Sequence, residues 1–191
     1  NKSSGKQGYA IAKSLSKKGF QTTLISGPTS LRVDNNITLV KVETADEMFK
    51  ATQNNLPVDV AIFSAAVADF KVRKKNNNKI KKQENLNLEL EKNIDILNYI
   101  SNHNSLRPRL VIGFAAETNN IKKNAQIKLM NKNCDWIVAN DVSNKSIGFE
   151  SDFNEVSIFY KNNEIKDEKL TVKNKSKISD EIVDRVIKQL N

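Results

Sequence analysis

The stretch VDVAIFSAAVADF, residues 58–70, leads directly into KVRKKNNNKIKK, residues 71–82. The first part is a run of apolar and small residues, which favours a strand over 58–66 that is buried on both faces of a parallel sheet. The second part carries seven basic residues and three consecutive asparagines, so we expect a cationic loop over 67–82. A buried strand that ends in such a loop is a suitable place to hold a polyphosphate. The alternative is a solvated surface loop, because charge runs are usually solvated.

The composition limits the classes of function. The chain has 191 residues and a formal net charge of +9, so we expect one domain and an anionic partner, either nucleic acid or a phosphorylated small molecule. The basic stretches contain no aromatic residues and match no zinc-finger, RNP or helix-turn-helix pattern, which argues against nucleic acid. One histidine and one cysteine leave no credible zinc site and make a Cys–His nucleophile unsuitable. The single cysteine fits a reducing cytoplasm, and the absence of a long apolar run argues against a membrane partner.

Predicted strands and helices alternate along the chain, which is typical of an α/β fold with a Rossmann-like, doubly wound and mostly parallel sheet. We predict helices at 6–18, 44–55, 95–101, 119–132 and 176–190, and strands at 22–26, 37–42, 58–66, 86–92, 109–117 and 135–141. The segments EVSIFY and EKLTV predict an antiparallel hairpin at one edge of the sheet. The whole chain, 1–191, is interpreted as a single domain. Because no strand precedes the first helix, we expect that an N-terminal strand and its Gly-rich turn are absent from it.

Three predicted strands end in small or polar residues, at the edge where open α/β sheets bind ligands. These strand ends are AAVAD at 65–69, GFAAET at 113–118 and AND at 139–141. Small residues either let a ligand approach the backbone or allow a helix to pack closely on the sheet, and both interpretations stay open. Asp69 and Asp95 are candidates for contacts with a ribose or a base, although Asp95 could equally be an N-terminal charge on its short helix.

Basic residues suggest two further anion contacts. Lys128 and Lys132 stand four residues apart and share one face of a predicted helix, where a bound triphosphate would relieve their repulsion. The segment SSGKQG at 3–8 offers N–H groups at a helix N-terminus. The alternatives are two solvated lysines and an ordinary helix-entry loop. Cys134 lies beside Asp135 and just before a predicted strand, and it is interpreted as structural.

Several motifs occur in order from residue 1 to about residue 160: NKSSGKQGYAIA, LISGPTSL, TADEM, AAVADF, KIKK, KNIDIL, GFAAET, KNCDWIVAND and GFESDFNEV. Together they resemble the phosphopantothenate–cysteine ligase domain (phosphopantothenoylcysteine synthetase) of coenzyme A biosynthesis. In bacteria this domain usually forms the C-terminal half of a bifunctional protein whose first half is a flavin-dependent decarboxylase. The resemblance implies that CTP, with Mg²⁺, activates phosphopantothenate as an acyl-cytidylate, which then condenses with cysteine. It also implies a homodimer or larger homo-oligomer, and FMN only where a decarboxylase half is present.

The resemblance implies roles for individual residues. Lys79 would be catalytic by neutralising charge as the acyl-cytidylate forms, and Asn1 would polarise the acyl carbonyl for attack by cysteine. The positions that would contact the cytidine nucleotide are Phe63, Ser64, Ala65, Asp69, Lys79, Ile94, Asp95, Ile96, Leu97, Phe114, Lys128 and Lys132. Ile94 departs from the family pattern, since relatives often carry proline there, but contacts made by the backbone should remain.

Two other classes of function stay open at this stage. One is a Rossmann-type nicotinamide oxidoreductase, although the Tyr-x-x-x-Lys pattern occurs only at Tyr9 and Lys13 in the first predicted helix. The other is a basic nucleotide- or RNA-binding module. The residues do not decide between CTP and ATP as the nucleotide.

Overall fold

The computed structural model describes residues 3–74, 87–142 and 151–191. Within these ranges the chain forms an α/β fold, and its elements follow the predicted order except for one additional short strand, Phe70–Val72. In chain order they are α1 Lys6–Lys17, β1 Thr22–Ser26, β2 Ile37–Lys41, α2 Ala45–Asn54, β3 Val60–Phe63, β4 Phe70–Val72, β5 Leu90–Lys92, α3 Ile96–Ser101, β6 Leu110–Glu117, α4 Ile121–Lys132, β7 Trp136–Asp141, β8 Phe153–Tyr160, β9 Glu168–Asn174 and α5 Lys175–Leu190.

The central sheet has five strands in the order β3-β6-β7-β8-β9. The first three strands are parallel, and β8 and β9 add an antiparallel hairpin at the edge. Strands β6 and β7 place alternate side chains on opposite faces of the sheet, and a helix covers each face. One side packs on α5 through Ile178, Ile182 and Val186, and the other packs on α4 through Ala125 and Leu129. The predicted Rossmann-like α/β class with an antiparallel edge hairpin is confirmed.

Strand β3 differs from its prediction. It covers Val60–Phe63 rather than 58–66, and all four residues are only partly buried. The reason is its place in the sheet, since among the described strands β3 pairs with β6 alone and leaves its other edge without a partner strand. The expectation of a strand buried on both faces is therefore wrong, and the apolar run continues beyond the strand as the connection to β4.

Two short sheets accompany the central one. Strands β1 and β2 form a parallel pair, and β4 and β5 form an antiparallel ribbon. Strand β4 lies within the segment 67–82 that was predicted to be a cationic loop, so that prediction is wrong at Phe70–Val72. The basic side chains Lys71 and Arg73 are paired there with Glu91 and Glu89 of the opposite strand, at 3.7 and 3.6 Å. Residues 75–82 of the predicted loop lie outside the described ranges.

Helix α2 begins with a capping box. The Thr44 side chain accepts a hydrogen bond from the Glu47 N–H at 3.2 Å, and the Glu47 carboxylate accepts one from the Thr44 N–H at 3.4 Å. This arrangement satisfies N–H groups that have no acceptor within the helix. The spacing of Thr44 and Glu47 in the sequence is sufficient to predict this helix start. No helix in the described ranges is long and apolar enough to cross a membrane.

Candidate functional site at the carboxyl edge of the sheet

The end of β3 meets the start of α1. Phe63 lies beside Gly113 of β6 in the sheet register, and Ser64 follows it. A Cβ atom on Gly8 of α1 would lie 2.8 Å from the Ser64 Oγ, so the two segments approach each other closely at this glycine. The tertiary structure thus brings together two predicted ligand segments, 3–8 and 63–65, at the carboxyl edge of the sheet.

Asn93 joins two other predicted segments. Its backbone N–H donates to the Asp69 carbonyl at 2.8 Å, and its side-chain Nδ2 donates to the Ala68 carbonyl at 2.8 Å. Asp69 therefore lies next to the 94–97 segment, as a shared nucleotide site requires. The Asp69 side chain is exposed, and within the described ranges it makes no hydrogen bond or ion pair. Sequence reasoning did not single out Asn93, because only the fold shows that it connects these segments.

The four residues of the 94–97 segment have different environments. Ile94 is exposed, whereas Ile96 is buried in the core. Leu97 packs so closely on Gly113 that a Cβ there would lie 2.6 Å from the Leu97 Cδ2. Asp95 is the N-cap of α3 and accepts a hydrogen bond from the Asn98 N–H at 2.9 Å. Of the two interpretations of Asp95, the structure shows the helix-start role. Because the Ile96 side chain is buried, that residue can contact a ligand only through its backbone.

Lys128 and Lys132 of α4 are each paired with a carboxylate. The Lys128 Nζ lies 2.7 Å from Glu117 Oε1, and Lys132 forms an ion pair with Asp95. Glu117 is the last residue of β6 and is only 9% exposed, and its second oxygen accepts a hydrogen bond from Asn124 at 3.0 Å. Both ammonium groups are thereby held in position by carboxylates. Glu117 was not predicted as a site residue, although a carboxylate at the end of a buried strand is an unusual feature that could have indicated it.

The two phenylalanines predicted as nucleotide contacts also pack against the hydrophobic core. Phe63 packs against the buried residues on the α4 side of the sheet, and Phe114 packs against those on the α5 side. Ala65 is exposed at the strand end. The predicted catalytic residues Lys79 and Asn1 lie outside the described ranges.

Cys134 is fully buried. Burial raises the pKa of its thiol to about 11, so the thiol is protonated at neutral pH and is a poor nucleophile. This agrees with its interpretation as a structural residue.

The residues described by the structure contain no group of three or more His, Cys, Asp or Glu side chains that could hold a metal ion. A cavity of about 300 Å³ lies at the opposite edge of the sheet, between the start of β6 and the end of β8. Its cationic side chains are already engaged: Arg109 donates to the Leu190 carbonyl at 3.2 Å, and Lys161 donates to Asn133 Oδ1 at 2.5 Å. The carboxyl edge is the better candidate site, because open α/β sheets bind ligands at the carboxyl ends of their strands.

The fold and this edge define a Rossmann-like α/β domain with a site suited to an anionic ligand. The chain matches the family described as the C-terminal domain of DNA/pantothenate metabolism flavoproteins over residues 1–190, and it belongs to that family.

Relatives of known sequence and structure are consistent with this assignment. The Coenzyme A biosynthesis bifunctional protein CoaBC of Haemophilus influenzae is 38% identical over 191 residues, which cover 99% of this chain and 46% of that protein. The chain thus spans about half the length of this bifunctional relative. A crystal structure of the C-terminal domain of CoaBC is 34% identical, with a TM-score of 0.79, over 98% of this chain and 84% of that one. A Cab2 mutant in complex with phosphopantothenate-cysteine shares the fold, at 14% identity and a TM-score of 0.73, over 100% of this chain and 80% of that one.

Proposed function

We propose that this chain is a phosphopantothenate–cysteine ligase of coenzyme A biosynthesis that uses CTP. The observation that carries the proposal is the similarity of nearly the whole chain to the C-terminal part of CoaBC. The Cab2 structure adds support, because a protein of the same fold binds phosphopantothenate-cysteine, the product of this reaction. The geometry of the carboxyl edge is compatible with the proposal, since it presents oriented lysines to an anionic ligand.

In the first step, a carboxylate oxygen of phosphopantothenate attacks the α-phosphorus of CTP. An O–P bond forms, the bond to the β-phosphate oxygen breaks, and pyrophosphate leaves. Two anions must be brought together for this attack, so the site has to neutralise charge and align the reactants. In the proposal Lys79 neutralises the charge that develops, and Lys128 and Lys132 contact the nucleotide, with Glu117 and Asp95 as the groups that position them.

In the second step, the cysteine amine attacks the acyl carbonyl, CMP leaves, and the amine loses a proton as the amide forms. Asn1 polarises the carbonyl in the proposal. The acyl-cytidylate is a reactive mixed anhydride, so water must be kept from it. The nucleotide contacts proposed for Phe63, Ser64, Ala65, Asp69, Phe114 and the 94–97 segment would anchor the CMP half of this intermediate.

The metal and the assembly belong to the same proposal. Mg²⁺ would bind to the phosphates of CTP and would neutralise part of their charge. We propose a cytoplasmic homodimer. FMN would belong to a decarboxylase half.

A pyrophosphate-release assay tests the function. With CTP, phosphopantothenate and cysteine, we expect release that requires both CTP and phosphopantothenate, and formation of phosphopantothenoylcysteine only when cysteine is added. ATP in place of CTP measures the nucleotide preference. Nicotinamide-dependent oxidation, or tight RNA binding with a steep salt dependence and no pyrophosphate, would contradict the proposal and favour one of the other two classes.

Lys79→Ala tests the proposed catalytic lysine. We expect the variant to fold but to lose pyrophosphate release by about 10²-fold or more, because a preorganised charge that meets the developing negative charge is removed. The measurement is single-turnover formation of the acyl-cytidylate, and circular dichroism checks the fold. Lys74→Ala, at an exposed lysine before the same segment, is the control and should retain activity. Formation of the intermediate at the wild-type rate in Lys79→Ala would remove Lys79 from the catalytic set.

A further inference from the structure

The cavity of about 300 Å³ at the amino edge of the central sheet is built on the hydrophobic core. Strand β6 begins there at Leu110, β7 begins at Trp136, and the antiparallel β8 ends at Tyr160. All three residues line the cavity, and all three belong to the core that α5 covers. The base of the cavity is therefore formed by neighbouring strands and has a defined shape.

The indole N–H of Trp136 has no acceptor within residues 3–74, 87–142 and 151–191. Trp136 is only 3% exposed. Its Nε1 is not among the described polar side-chain atoms that are enclosed without a partner, so it is reached from the cavity that Trp136 lines. A buried indole N–H usually finds an acceptor, and the lack of one costs free energy. The cavity therefore presents a hydrogen-bond donor that a ligand can satisfy.

Contacts with Tyr160 hold the Trp136 ring in position. The two ring centroids lie 5.2 Å apart with an interplanar angle of 78°, which is an edge-to-face contact. The Tyr160 hydroxyl donates to Glu168 Oε1 at 2.6 Å, and Arg185 donates to Glu168 Oε2 at 2.6 Å. Because this network fixes both rings, a ligand meets a preorganised donor and loses little free energy in ordering it.

Two basic side chains line the same cavity and are exposed, so they lie at its mouth. Arg109 Nη2 donates to the Leu190 carbonyl at 3.2 Å, and Lys161 Nζ donates to Asn133 Oδ1 at 2.5 Å. A guanidinium and an ammonium each carry several N–H donors, and each of these contacts uses one. Arg109 and Lys161 therefore keep further donors for a ligand in the cavity.

The acidic side chain of the cavity wall, Asp135, is engaged elsewhere. Asp135 Oδ1 accepts a hydrogen bond from Arg107 at 3.0 Å, and Oδ2 accepts one from the Val111 N–H at 2.7 Å. Neither Arg107 nor Val111 lines the cavity, and the guanidinium of Arg107 offsets the charge of the carboxylate. The wall therefore offers a ligand mainly hydrogen-bond donors, beside the apolar surfaces of Leu110 and Ile165.

We propose that this cavity binds a small carboxylate with an apolar body. The carboxylate accepts hydrogen bonds from the Trp136 indole and the Arg109 guanidinium, and the apolar body packs on Leu110, Ile165 and the Tyr160 ring. A planar carboxylate matches the fork of a guanidinium, which a neutral amide does not. A volume of about 300 Å³ is at the lower end of the range for ligand pockets, so the ligand is small. The cavity and the candidate site lie at opposite edges of the sheet, so this ligand is not the nucleotide of the proposed reaction.

Tryptophan fluorescence tests the site directly, because Trp136 is the only tryptophan of the chain. The probe is phenylacetate at constant ionic strength, and phenylacetamide is its neutral counterpart. We expect a saturable change in emission with phenylacetate and binding of phenylacetamide that is weaker by about tenfold or more, because the charge-assisted hydrogen bonds are lost. A change that rises linearly without saturation, or equal affinity for the acid and the amide, would overturn the proposal.

Two substitutions remove the two donors separately. Arg109→Gln should weaken phenylacetate binding about tenfold or more and leave phenylacetamide binding unchanged, because only the acid uses the guanidinium charge. Trp136→Phe keeps an aromatic ring but removes the N–H, so calorimetry replaces fluorescence, and binding should weaken about three- to tenfold. Arg32→Gln, at an exposed arginine in the loop before β2, is the matched control and should change neither affinity.

Circular dichroism and thermal unfolding check that each variant is folded. Arg109 is exposed, so its replacement leaves the core intact, and unchanged phenylacetate binding in Arg109→Gln would reject the site even if Trp136→Phe failed to fold. Wild-type affinity in a folded Trp136→Phe would show that the indole N–H is not a ligand donor, which also contradicts the proposal. None of these measurements requires pyrophosphate release, so the ligand site and the proposed function stand or fall separately.

Discussion

At the scale of single residues, ion pairs with carboxylates fix the positions of the lysines at the candidate site. Lys128 reaches a buried carboxylate, Glu117, at 2.7 Å, and Asn124 fixes the other oxygen of that carboxylate. Glu117 is only 9% exposed, and its contacts with the Lys128 ammonium and the Asn124 amide offset the cost of removing its polar oxygens from water. The lysine therefore has a defined position at the carboxyl edge of the sheet instead of moving freely in solvent.

Lys128→Gln tests this position. We expect the KM for CTP to rise about tenfold or more, because a charge-assisted contact to a phosphate is lost. Lys122→Gln, on the same helix but paired with Asp167 at 3.6 Å, is the matched control and should leave the KM unchanged. Steady-state kinetics at constant ionic strength measures both constants. If both substitutions raised the KM for CTP equally, the overall positive charge of α4 would explain the result, and a specific contact of Lys128 would be ruled out.

At the scale of single elements, side-chain caps stabilise the starts of the helices. Asp95 and Asn174 each accept a hydrogen bond from an N–H of the first turn of their helix, at 2.9 Å in both cases. The capping box of α2 does the same with Thr44 and Glu47. These caps fix where each helix begins, and therefore which residues are available at the edge of the sheet.

Thr44→Ala measures the contribution of one such cap. We expect a loss of about 1 kcal/mol in the free energy of unfolding, because a first-turn N–H loses its acceptor. Urea unfolding followed by circular dichroism is the measurement. Thr52→Ala, within the same helix, removes a hydroxyl that bonds the Met48 carbonyl at 2.8 Å and should change stability by less than about 0.5 kcal/mol. A larger loss for Thr52→Ala than for Thr44→Ala would contradict this account of α2.

At the scale of the whole molecule, an apolar surface is exposed on one of the two short sheets that the structure describes. On the β4–β5 ribbon, Phe70 and Leu90 are 53% and 58% exposed, and Leu88 beside them is also exposed. The opposite face of the ribbon carries the ion pairs that Lys71 and Arg73 form with Glu89 and Glu91. A two-stranded ribbon is marginally stable by itself, so a second copy of the chain that covered its exposed apolar residues would stabilise it.

Light scattering after gel filtration tests the homodimer. We expect a species of twice the mass of one chain, and Leu90→Lys should shift it to the monomer because a charge replaces an apolar contact. Met130→Lys, at an exposed position on α4, is the control and should leave the dimer intact. A wild-type monomer at micromolar concentration, or equal dissociation of both variants, would rule out this surface.

The order of elements and the fold class followed from local patterns. The period of the apolar residues, the capping box of α2 and the hairpin of β8 and β9 each involve residues close together in the chain, so the sequence predicts them with small errors at the ends. The same local motifs, taken in order, predicted the family. By contrast, the half-buried state of β3 depends on which strand lies beside it, and nothing within its own residues indicates that.

The sequence by itself therefore determined the Rossmann-like fold, the edge where the candidate site lies and most of the residues proposed for the nucleotide. Only the tertiary structure decided which charges meet there. Lys6 and Asp152 are 146 residues apart, and Lys132 and Asp95 are 37 apart, so no local pattern connects either pair. Helix and strand formation depends on neighbours along the chain, whereas the position of an ammonium group depends on the carboxylate that the folded chain places beside it.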